Sequence, residues 1–150
     1  MIMKRYQIIN YHHFLSQIDL QKVDKQARAQ LIRMDIVLGD IVDEHNAEVE
    51  KVKARLSRGH EAEIQEVGRL YELLQTAEDK KEIMAQIESH KGYAELQNAM
   101  DEEVHSRLME DVDVEIEKVT SEDLAGWCAD SGVSVTLEVL REWRKAGLTL

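Results

Sequence analysis

A chain of 150 residues without a single proline can run in helices far longer than average. Proline removes a backbone donor and clashes with the preceding turn, so its absence leaves helix length to the apolar pattern alone. That pattern is clear from about Asp24. Leu31, Met34, Leu38, Ile41, His45, Val49, Val52 and Leu56 recur at three- and four-residue steps, with charges filling the other positions. This is one narrow stripe on a helix, closer to a coiled-coil seam than to a broad core face.

Gly59 interrupts the pattern, which resumes at Ile64, Val67, Tyr71 and Leu74. Thr76-Ala77-Glu78-Asp79 reads as a capping box. A second stripe follows with Ile83, Ile87, His90, Ala94, Gln97, Met100, Val104 and Leu108 inward, and Gly92 as a point of kinking. Two long amphipathic stretches joined somewhere between 57 and 80 predict an antiparallel helical hairpin over 24–111.

At Val112 the period changes to two. Val112, Val114 and Ile116 alternate with Asp113, Glu115 and Glu117, the signature of a half-exposed strand over 112–118. A lone strand is not stable in water. Its expected partner is the segment 4–9, with Tyr6 and Ile8 on one face and Asn10 capping a short helix beyond. Thr120-Ser121-Glu122-Asp123 opens another helix ended near Gly132. A last helix runs from about Thr136 to Lys145, with Leu137, Leu140 and Trp143 on its buried side and Gly147 as its cap. The expected fold class is therefore mainly α: one domain of 150 residues, with a 24–111 hairpin and a small α/β cap made from 1–23 and 112–150.

The net charge of -11 is unevenly spread. Residues 1–75 hold 12 acids and 11 bases, whereas 76–150 hold 18 acids and 8 bases. Glu95 to Asp123 alone carries 11 acids against Arg107 and Lys118. Such a stretch repels phosphate backbones and anionic lipid, and attracts a basic partner. The single cysteine, Cys128, excludes an internal disulfide or a Cys-based zinc site and fits a reducing compartment. No 7–15-residue apolar run follows Met1, so no signal peptide is expected, and no run of about 18 apolar residues suggests a membrane span. A bacterial host's cytoplasm, or a particle assembled there, is the expected location.

The order of short N-terminal segment, long charged hairpin, acidic alternating segment (Val112-Asp113-Val114-Glu115-Ile116), Thr120-Ser121-Glu122-Asp123-Leu124 and final short helix resembles small phage- and prophage-encoded proteins of unknown function from structural gene clusters. The resemblance lies in layout. It implies a particle-associated or assembly-accessory role, and it carries no functional residue with it.

Chemistry-bearing motifs are sparse. Glu102-x-x-His105 is one Glu-x-x-His, where a di-iron bundle needs two. His45 and His90 fall on the apolar stripes and read as packed side chains, with a ligand or pH-switch role as the alternative. Glu63-x-x-Glu66 and Glu110-x-x-Asp113 are conceivable halves of a Mg²⁺ site, as in helical nucleotide pyrophosphatases, but their spacing is wrong. No nucleophile elbow or P-loop occurs. Residues 121–145 have a helix, Gly-Val-Ser turn, helix order like that of helix-turn-helix DNA readers. Against this, Ser131 and Glu138 stand where apolar residues are usual, and 121–150 carries five acids against three bases.

The expectation is a non-enzymatic structural or interaction protein with no cofactor and no metal. Its partner is a second copy or another protein, not a membrane or nucleic acid. The packing residues Leu31, Leu38, Ile41, Val52, Ile83, Ile87, Val104 and Leu108 are expected to carry the interaction.

Overall fold

A computed structural model describes residues 1–150. The protein is mainly α-helical. Its elements are β1 (Ile2–Lys4), α1 (Arg5–Leu15), a 3-10 turn (Leu20–Lys22), α2 (Lys25–Ser57), α3 (Glu61–Thr76), α4 (Lys80–Glu88), α5 (Lys91–Leu108), β2 (Asp111–Asp113), α6 (Ser121–Asp130) and α7 (Leu137–Ala146). No helix is long and apolar enough to cross a membrane. The chain forms two compact units, 1–45 with 108–150, and 46–107.

In the first unit, β1 and β2 pair antiparallel with Ile2 opposite Asp113, Met3 opposite Val112 and Lys4 opposite Asp111. The N-terminus and the alternating segment do meet, but the strands are shorter than their patterns suggested. Segment 6–9, expected as strand, is helical. Ile8, Tyr11 and Leu15 recur at helical spacing and are buried together, and Gln7 Oε1 accepts the Lys4 N–H at 3.0 Å to start the helix. β1 therefore ends at Lys4, and the ladder ends with it.

α2 begins after Asp24, whose side chain accepts the Ala27 N–H at 2.8 Å. Its apolar face, Ala27, Leu31, Met34 and Leu38, closes one core with Ile8, Tyr11, Leu15, Val114, Val119, Leu124, Cys128 and Leu148. This is why the part of α2 up to His45 belongs with both termini rather than with the hairpin. α7 is fixed to α1 by Trp143, which stands edge-on to Tyr11 (centroids 5.1 Å apart) and to Phe14 (4.5 Å). α7 is capped by Thr136, which accepts from the Val139 N–H, and ends at Gly147, whose φ of 82° is a left-handed value that suits glycine.

In the second unit, the return limb is three helices rather than one. α2 stops at Ser57, where Gly59 takes a φ of 83°. Asp79, not Thr76, caps α4, accepting from the N–H groups of Lys81 and Glu82. A further break at Ser89–His90 resets the helical phase, so Leu96 is the buried residue of α5 and Gly92 sits in its first turn instead of kinking a longer helix. The end of α2 and α5 run antiparallel: Arg55 pairs with Glu103 and Arg107 lies 3.4 Å from Glu48. Val67, Leu70 and Ile87 form a second small core with Ile83, Met84 and Tyr93.

Candidate interaction surface

The eight packing residues do not form an open surface. Leu31, Leu38, Val52 and Ile87 are buried, and Ile41, Ile83, Val104 and Leu108 are half-buried. In the first unit, Leu31 and Leu38 belong to the core that also holds Ile8, Tyr11 and Leu124, while in the second Ile87 packs on α3. The stripe is spent on the fold of each unit.

Exposed aliphatic side chains occur elsewhere. On α2, Ile32 is 45% and Ile36 58% exposed. At 3.6 residues per turn, Ile36 lies about 160° around the helix from both Met34 and Leu38, on the face opposite the core. Asp40 and Asp43 continue that face and are exposed. Beside Ile32, a cleft of about 250 Å³ opens between α2 and the end of α1, lined by Leu15, Ile18, Leu20 and Leu31 and bordered by Asp35. Asp35 in turn lies 2.8 Å from His12 Nε2.

A second open surface lies between α6 and α7. It is a groove of about 430 Å³ with Ala125, Leu137 and Leu140 as its apolar lining, Ser121 and Glu122 on the α6 side, and Arg141 and Arg144 on the α7 side. Leu137 is 80% exposed, the most open large apolar side chain of the chain.

The acidic stretch is held from within the chain. Asp113 lies 2.8 Å from the Met1 ammonium, Asp111 2.7 Å from Lys4, Glu110 3.1 Å from Arg5, and Glu117 2.8 Å from Arg33. The ammonium's hydrogen bond and charge hold the Asp113 carboxyl below the usual aspartate value. The half-site suggested by Glu110 and Asp113 is thus occupied by the Arg5 guanidinium and the Met1 ammonium.

Glu63 and Glu66 are engaged as well. Glu63 lies 2.6 Å from His60 Nδ1 and Glu66 3.2 Å from His90 Nε2. Both histidines stand at helix starts: the His60 carbonyl accepts from the Ile64 N–H and the His90 carbonyl from the Ala94 N–H. A Cβ on Gly92 would come within 2.6 Å of Glu63 Oε1, so this glycine leaves room for the carboxylate. His45 is buried. Glu102 and His105 are both exposed, and nowhere are three or more metal-capable side chains gathered. Cys128 is buried, and burial pushes its thiol upward, away from the thiolate a nucleophile needs. Tyr11 is raised too, first by burial and then by the nearby Cys128.

Comparison with protein families, with curated proteins and with solved structures returns no match.

The surface that emerges is made of residues the stripe passes over. Ile32, Ile36 and Leu137 break the amphipathic pattern by standing on the charged side. A count of apolar residues opposite the stripe finds the two isoleucines. Leu137, expected on the buried side of the last helix, is instead open, because as the first residue of α7 it has no preceding turn beside it. Ser131, out of place for a DNA-reading turn, accepts the Asp19 N–H through its hydroxyl at 2.9 Å and so ties α6 to the loop after α1.

Proposed function

We propose that the protein is a non-enzymatic structural or interaction protein that associates with itself through the outer face of α2. The observation that carries this is the pair Ile32 and Ile36, open to water on the face opposite a complete core. Scattered exposed apolar residues are ordinary, but two aliphatic residues one helical turn apart beside an apolar cleft make a contiguous patch of the kind that marks docking surfaces. The layout resemblance to proteins of phage structural gene clusters supports a role in particle assembly in a bacterial cytoplasm.

Molar mass by light scattering over a wide concentration range tests this. The expected result is mass above the 17.3 kDa of one chain that grows with concentration. It returns to 17.3 kDa in Ile32→Asp/Ile36→Asp with the far-ultraviolet spectrum unchanged. Association that ignores the double substitution, or none at any concentration, refutes the reading.

A second reading, DNA binding through α7, has Arg141, Arg144 and Lys145 exposed on that helix in its favour. Leu137 at the helix start and the exposed Glu138 and Glu142 count against it. Retardation of duplex DNA at low salt would establish it. The reading as a Mg²⁺-dependent nucleotide hydrolase requires Glu63 and Glu66 to leave their histidines. Mg²⁺-dependent thermal stabilisation lost in Glu63→Gln would establish that one.

A further inference from the structure

We infer that the occupant of the α2 face is the α6–α7 groove of a second copy, so that copies join head to tail. This rests on the reading of α2 as a self-association face. The two surfaces share one spacing. On α2, Ile36 is followed four and seven residues later by Asp40 and Asp43; on α7, Leu137 is followed four and seven residues later by Arg141 and Arg144. Positions i, i+4 and i+7 lie on one face of a helix, here spanning about 6 and 10.5 Å along the axis. The patterns match in length and oppose in charge. Two parallel helices laid side by side in register bring Leu137 onto Ile36, Arg141 onto Asp40 and Arg144 onto Asp43.

Each member is available. Ile36 and Leu137 are more than half exposed, and the four charged side chains are exposed and form none of the chain's ion pairs. The groove supplies Ala125 and Leu140 beside Leu137 as an apolar seat for the α2 isoleucines, and Arg141 and Arg144 form its edge. Glu122, on the α6 side, is the one carboxylate in the groove and falls opposite the arginine edge. Arginine also suits the task, because its planar fork grips a carboxylate with two parallel hydrogen bonds.

Both faces belong to the same compact unit and both are open in the monomer, so the match is made between copies. The faces differ, which makes the contact heterologous: each copy offers one of each, and assembly continues until a ring closes or a filament runs on.

Charge reversal tests this without touching the core. Asp40→Lys/Asp43→Lys and Arg141→Glu/Arg144→Glu are each expected to be monomeric where the wild type associates. Like charges then face each other in any contact between identical copies. Mixed in equal amounts, the two variants are expected to recover wild-type mass, because every α2–α7 contact between unlike copies is again of opposite sign. Raised salt is expected to lower the mass of the wild type and of the mixture alike. Wild-type association by either variant alone, or a mixture that stays monomeric, overturns the proposal. If association is lost in Ile32→Asp/Ile36→Asp yet survives both reversals, the α2 face stands as an interface and only its pairing with α7 fails. If the wild type is monomeric but retards duplex DNA, and Arg141→Glu/Arg144→Glu does not, both proposals fall to a nucleic-acid role for α7.

Discussion

Leu38 and Ile36 are two residues apart on one helix, and the structure assigns them opposite consequences. Leu38 is fully buried in the core of the first unit, whereas Ile36 is 58% exposed on the far side of α2. Leu38→Ala removes buried methyl groups and leaves a cavity in a core with no spare side chain to fill it, a loss of about 3 kcal/mol. For 150 residues the unfolding entropy near the midpoint is about 0.3 kcal/mol per kelvin, so the melting temperature should fall by about 10 °C. Ile36→Ala loses little burial and gains slightly in helix propensity, so its effect should stay within about 0.5 kcal/mol, or about 2 °C. Thermal unfolding followed by circular dichroism, at a concentration low enough to keep the chain monomeric, compares the two directly. Equal losses at both positions would refute the division of α2 into a core face and an open face. The reverse order would mean that the stripe, not the opposite face, is the interface.

Tyr11→Phe should raise stability by about 1 kcal/mol in denaturant unfolding, because the Tyr11 hydroxyl is buried with no hydrogen-bond partner and its removal ends a desolvation cost; a clear loss would mean that the hydroxyl is used. Thr120→Ala should cost about 1 kcal/mol by freeing the Asp123 N–H at the start of α6, read as a lower denaturation midpoint. The Glu61 carboxyl is held below its usual 4.5, first by its own backbone N–H and then by that of Gly59. Its folded value being the lower one, the carboxylate's contribution to the start of α3 is complete above 4.5 and is lost as pH falls through the folded value. Amide exchange at Gly59 should therefore gain protection from acid to neutral pH in the wild type and lose that pH dependence in Glu61→Gln. Gly92→Ala should push the Glu63 carboxylate off its site while gaining up to about 1 kcal/mol of helix propensity. The ring signals of His60 should shift in its NMR spectrum with stability unchanged or higher, and a large loss of stability would mean that Glu63 cannot move.

The sequence is legible where one residue type forces one geometry. The absence of proline and the steps from Leu31 to Leu38 lead directly to α2, and Thr120, Thr136 and Gly147 mark the helix ends that they cap. It is less legible where two periods overlap. Tyr6 to Ile9 satisfies an alternating pattern over four residues and a helical one over eleven, and the longer pattern prevails because it buries Ile8, Tyr11 and Leu15 at once. The break at Ser89–His90 has no proline or glycine at the break itself, so the phase of α5 is set by packing on other helices, and Leu96 is missed. The open surface is hidden for a different reason. A stripe shows which residues share a face, but whether that face meets its own chain or another depends on which core gathers residues such as Leu38 and Leu124, far apart in sequence.

Net charge alone points toward a basic partner for the acidic stretch, but the ion pairs redirect that inference. Asp111, Asp113, Glu110 and Glu117 meet Lys4, the Met1 ammonium, Arg5 and Arg33, so much of the charge that looked available is used to hold β1 beside β2 and to fasten Glu117 to α2. Exposed pairs of this kind add little energy each. Their consequence is one of pattern: they neutralise four carboxylates of the acidic run, which stay at the surface but already face a cation. Asp40 and Asp43 then stand out as an unpaired acidic pair beside exposed isoleucines, and Arg141 and Arg144 as an unpaired basic pair beside an exposed leucine. On the head-to-tail pairing proposed above, the basic surface that this acidic pair meets is carried by the chain itself.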